Sequence, residues 1–213
     1  MTAHAAQIKS PLLLIACGAL AHEVMAVLRL NDLHGVAVQC LPARLHNTPQ
    51  LIPDAVRAKI REGRARYERI FVLYGDCGTG GLLDEVLEEE GVERIAGAHC
   101  YEFFATARVF AQLADHEPGT FYLTDFLLRH FERLVVRPLG LDRHPELTQE
   151  YFRNYRKLVY LSQAVPRPEA IEQAQRIAAR FGFEFEHRFT GYGELGTRLA
   201  ALVESQDTLA WPA

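Results

Sequence analysis

The stretch "RIFVLYGDCGTGGLLDEVLEEEG", residues 69–91, decides the fold. Its opening, Arg69 to Gly75, is a short apolar run rich in the branched and aromatic side chains that suit a pleated surface. Its second half repeats apolar residues at helical spacing and stops at Gly91, where a left-handed cap is expected. Between the two lies a glycine turn that carries Asp76 and Cys77. A strand passed to a helix through such a turn is half of a βαβ unit.

The pattern recurs in both directions from this stretch. Upstream, Leu12–Cys17 ("LLLIAC") and Val36–Ala43 ("VAVQCLPA") read as strands, and a helix opens near Pro53. Downstream, "VERIAG" (92–97), Thr120–Asp125, Lys157–Gln163 and "FEFEHRF" (183–189) read as strands between amphipathic segments, and "PRPEAIEQAQRIAARFG" closes a helix at Gly182. Segment 99–119 is expected to begin as a loop and then turn helical. Alternating strands and helices imply right-handed crossovers and an open, mostly parallel α/β sheet with helices on both faces, in a Rossmann-like arrangement that allows two pseudo-symmetric halves. A single domain over residues 1–205 is expected, with a loose tail at 206–213.

Composition narrows the partners. The chain has 213 residues, 49% of them hydrophobic, and a formal net charge of −4. Its basic residues are interspersed with acids, which argues against nucleic acid as a partner. The run "PLLLIACGALA" has only Lys9 as a nearby basic lead and is followed at once by His22 and Glu23, so it reads as a strand entering a helix rather than as a secretory signal. No segment reaches the roughly 18 apolar residues of a membrane span. A cytoplasmic protein acting on a small molecule is expected, with a homodimer as the default assembly. Four cysteines with no CxxC pair point to reduced thiols that only the fold can bring together.

In an open α/β sheet the ligand crevice lies beyond the carboxyl ends of the strands. Here those exits carry Cys17-Gly18, His46-Asn47, Asp76-Cys77-Gly78, His99-Cys100-Tyr101-Glu102 and Thr124-Asp125. Thiolates and imidazole suit zinc or iron better than magnesium or calcium, and three protein ligands with an open position describe a catalytic metal. Cys17, Cys77 and Cys100 are the expected ligands. His46 and Glu102 are the expected proton-transfer groups, with His46 a fourth ligand as the other option. Gly78, Gly80 and Gly81 are expected to hold an anionic ligand or cofactor on their amides. Cys40, inside its strand, reads as core, Asp125 as a helix cap, and Asp142, His144 and Tyr192 as lesser loop candidates; of the helix positions His22 and Glu23, only Glu23 is expected to face the crevice.

The segments "CGAL..E", "LP..LHN.P", "YGDCGTGG", "CYEFF" and "YLTDFLLRHF" resemble a bacterial and archaeal family of uncharacterised proteins, the domain of unknown function numbered 1638. The resemblance runs from about Leu13 to "YGELGTRL" and implies that Cys17, His46, Cys77 and Cys100 occupy the family's signature positions. It also implies an association of some members with methyltransferase and corrinoid proteins.

Three functions are therefore open. The leading one is a metal-dependent hydrolase, lyase or transferase for a small polar or anionic substrate. The second is a metal-free enzyme with Cys77 as nucleophile, activated at a helix N-terminus with His46 or His99 as base. The third is a corrinoid- or tetrapyrrole-binding module serving a methyltransferase, although "DRHPEL" lacks the glycine of the DxHxxG pattern.

Overall fold

A computed structural model describes residues 10–207. The described residues divide into two compact units, one comprising residues 10–99 with 197–207 and the other residues 100–196. Each unit carries its own parallel sheet, and the α/β class with helix-flanked parallel strands holds in both. Lys9 and positions 208–213 of the expected tail lie outside the described residues, while Gln206 and Asp207 belong to the last helix.

The first unit starts with β1 (Ser10–Cys17), α1 (Ala21–Leu30), β2 (Val36–Leu41) and α2 (Ile52–Gly63). It continues with β3 (Tyr67–Leu73), α3 (Leu82–Glu90) and the two-residue β4 (Glu93–Arg94). The strand order is β2-β1-β3-β4, every pair parallel. Leu12 to Ala16 have no exposed surface. A strand with neighbours on both edges and cover on both faces must be apolar at every position, and that is why "LLLIA" does not alternate. Each large side chain buried this completely contributes roughly 1.5–3 kcal/mol. Helix α2 presses Val56 and Ile60 inward, and its outer arginines bind α3: Arg57 to Glu89 at 2.5 Å and Arg61 to Glu90 at 2.8 Å. Gly91 stops α3 at φ 60°, as its sequence position predicts.

The second unit contains α4 (Cys100–Ala105), α5 (Ala107–His116), β5 (Thr120–Thr124), α6 (Asp125–Arg129), α7 (Leu147–Phe152), β6 (Lys157–Ser162), α8 (Pro168–Phe181) and β7 (Glu184–Phe189). Its strands are parallel in the order β5-β6-β7. Central β6 is covered twice. Leu158 and Tyr160 enter a core with Phe131 and Phe152, whereas Val159 and Leu161 enter one with Ala105 and Leu113. Segment 99–119 is helical from Cys100 and not first a loop; its interruption is Thr106, at φ 65°, which caps α5 by accepting from the Val109 amide. Helix α9 (Gly193–Asp207) begins in the second unit and ends in the first, where the Leu202 carbonyl accepts from Arg69 of β3 at 3.5 Å.

The exits of β1 and β2 are in close contact. A Cβ on Gly18 would lie 2.8 Å from the Leu41 carbonyl oxygen and 3.2 Å from the Ala43 nitrogen. Both obstacles are backbone and cannot swing aside. Gly18→Ala is therefore expected to lower unfolding stability by roughly 1–3 kcal/mol, measured by urea titration followed by circular dichroism.

Candidate functional site

Strand order locates the crevice. In the first sheet the chain steps from β1 to β2 on one side and then to β3 on the other, so helices leave in opposite directions between β1 and β3, which makes that point a topological switch. The second sheet steps along in chain order and has no such point.

Cys17 ends β1 at the switch point and is 1% exposed. Its sulfur caps the 3-10 turn Gly18–Leu20 by accepting from the Ala19 amide at 3.3 Å. It also lies 3.6 Å from His46 Nδ1. His46 is placed by a second 3-10 turn, Ala43–Asn47, which follows β2 and Pro42. Part of His46 is open to solvent, yet its ring is crowded by protein, and this desolvation lowers its pKa; His99 nearby acts in the same direction. The imidazole is accordingly neutral near pH 7. Burial pushes the Cys17 thiol up to about 12, with the Ala19 amide opposing and Cys77 and Cys40 adding to the rise.

Tyr74 follows β3 directly and is 1% exposed. Its hydroxyl lies beside Cys17 but makes no hydrogen bond of ordinary geometry. Burial and the neighbouring thiols Cys17, Cys77 and Cys40 all raise its pKa. Sequence reasoning did not single out this tyrosine. The parallel register that aligns Ala16 with Leu73 places it beside Cys17, one residue past the apolar run.

The turn after Tyr74 is built around its own acid. The Asp76 carboxylate accepts from the amides of Gly78 (3.2 Å), Gly80 (3.1 Å) and Gly81 (2.9 Å) and from the Thr79 hydroxyl (2.5 Å). Burial alone would raise the pKa of Asp76, but Thr79 and these amides outweigh it and hold it at about 2. The three glycines do cradle an anion, and the anion is Asp76. Cys77 sits in the same turn at φ 52°, with its amide donating to the Ala98 carbonyl at 2.8 Å. A left-handed non-glycine residue costs roughly 1–2 kcal/mol, so the surrounding bonds must hold it there. Helix α3 begins only at Leu82, and the Gly78, Gly80 and Gly81 amides between Cys77 and the helix are bonded to Asp76.

The remaining candidates belong to other segments of the chain. Cys100 and Glu102 lie in the first turn of α4, in the second unit. Cys40, read as core, is exposed on β2, an outer strand of its sheet. Glu23 is buried in the first turn of α1. Asp142 and His144 are exposed, and His144 pairs with Glu146 at 3.2 Å. Asp125 does not cap its helix, because Thr124 accepts from the Leu127 amide and does so instead. Asp125 ties the β5 exit to β6, accepting from the Tyr160 hydroxyl at 2.6 Å and from the amides of Gln163 and Ala164. Among the described residues, no three His, Cys, Asp or Glu side chains form a group that could hold a metal ion. No helix of the described residues is long and apolar enough to cross a membrane.

A family model described as "Protein of unknown function (DUF1638)" matches residues 40–199. The match includes His46, Cys77 and Cys100 and begins after Cys17. No curated protein and no solved structure matches the chain.

Asp76→Ala strips the turn of its internal acceptor and is expected to cost roughly 1–3 kcal/mol in urea unfolding. The folded pKa of Asp76 is below its unfolded value, so its contribution is present above that unfolded value, about 3.9. The stability difference between wild type and variant is therefore full near neutrality and shrinks as pH falls through 4 toward about 2.

Proposed function

The chain belongs to the DUF1638 family, and from the chemistry of its own strand exits we propose that it is a metal-dependent enzyme acting on a small polar or anionic molecule. Cys17 and His46 would hold the metal, zinc or iron, and Cys77 would have to close on the pair to become the third ligand, because no three such side chains are grouped among the described residues. The observation that carries this reading is the Cys17–His46 pair, 3.6 Å apart at the switch point of the first sheet. His46 is held in the neutral form that ligates metals. Cys17 is a buried thiol that keeps its proton when no cation is beside it. A divalent ion removes that proton outright, because its charge outweighs the desolvation that raised the pKa.

The bound ion would act as a Lewis acid or lower the pKa of a coordinated water. Tyr74, whose hydroxyl stays protonated next to Cys17, supplies a donor at the same rim. A metal-free nucleophile at Cys77 draws no support from a turn whose amides already bind Asp76.

The test is elemental analysis of protein purified without an affinity tag from metal-supplemented medium. A stoichiometric transition metal is expected. Cys17→Ser and His46→Ala are expected to reduce it roughly tenfold or more, while Cys40→Ser retains it. A metal-free wild type in which all four thiols titrate freely would overturn the assignment.

A further inference from the structure

Arginines scattered along the sequence are gathered by the second unit into one groove. Arg129 ends α6, and the chain then forms a π-helical turn, Glu132–Val136, closed by the Arg137 amide donating to the Glu132 carbonyl at 3.0 Å. Arg129, Arg133 and Arg137 recur at every fourth residue along this segment. Arg176 and Arg180 do the same on α8. All five line a groove of about 510 Å³ whose single acidic lining residue is Glu132.

The pairing of these charges is unlike that in the first unit. There Arg57, Arg61 and Arg64 all meet Glu89 or Glu90. In the groove, Glu132 binds Arg180 at 2.8 Å, and Arg176 reaches Glu172 at 3.6 Å. Arg129, Arg133 and Arg137 make no ion pair among the described residues. Like charges four residues apart on a helix repel, so the row opposes folding unless something negative compensates it. Single π-helical turns are uncommon and recur at functional sites.

We propose that this groove binds a compact polyanion carrying at least two phosphate groups. Size favours a small molecule over a macromolecule. The eight helical steps from Arg129 to Arg137 span roughly 12 Å, and the volume lies within the range of small-ligand sites. Glu169 and Glu172, nearer the start of α8, bring negative charge to that end and would repel a longer polyanion. Guanidinium forks grip phosphate oxygens two at a time, so neighbouring phosphates can engage separate arginines.

The test is isothermal titration of the full chain at physiological salt with inorganic pyrophosphate, tripolyphosphate and orthophosphate. Saturable binding of the two polyphosphates is expected, at least about tenfold tighter than orthophosphate. Arg133→Gln and Arg137→Gln are each expected to weaken it roughly tenfold, with circular dichroism checking that the variants fold. Arg57→Gln, which removes a paired surface arginine of the first unit, leaves it unchanged. Three results overturn the proposal: equal affinity for orthophosphate and pyrophosphate, binding unaffected by Arg133→Gln and Arg137→Gln, or binding of a single-stranded oligonucleotide in preference to both polyphosphates.

Discussion

Strand β1 is hydrogen-bonded along both edges and has no exposed side chain between Leu12 and Ala16. That enclosure governs the first unit. A strand with no free edge and no wet face can meet solvent only at its ends, so the residue at its C-terminal end is placed by the whole sheet. Cys17 is that residue. Its burial, its raised pKa and its proximity to Tyr74 and His46 follow from the order β2-β1-β3, which brings three chain exits together. The contact of Gly18 with the Leu41 carbonyl keeps the first two exits together.

The local elements were readable because their signals are local. Gly91 and Gly182 both stand at left-handed helix ends, and Pro53 lies at the start of α2, where proline costs no hydrogen bond. The division into two sheets was not readable. Each strand shows which of its faces are covered but not which strand covers its edge, and β4 is only two residues long, too short to carry its own pattern. Thr106 was invisible for a related reason. Nothing in "FFATARVF" marks a threonine at φ 65°, because tertiary packing selects it.

Site residues were legible as chemistry and less so as partnerships. Cysteines and histidines at successive strand exits were visible in the sequence, and the structure sets Cys17 beside His46 at the exits of β1 and β2. The sequence could not distinguish a glycine turn awaiting an anion from one already filled by Asp76, since both read "GDCGTGG". Cys40 looked like core because its neighbours are apolar, yet β2 is an outer strand and leaves that position exposed. Arginine spacing at 129, 133 and 137 was present in the sequence, but its meaning depended on α8 lying alongside with Arg176 and Arg180.

Helix α9 makes the two units unequal in how the chain completes them. The second unit is continuous in sequence from residue 100 to 196, whereas the first unit is completed by a segment that follows it in the chain. The first unit needs the α9 segment around Leu202, which meets β3 at Arg69. The half that comes first in sequence therefore cannot complete its packing from its own segment alone, while residues 100–196 can close around β6 without any other part of the chain.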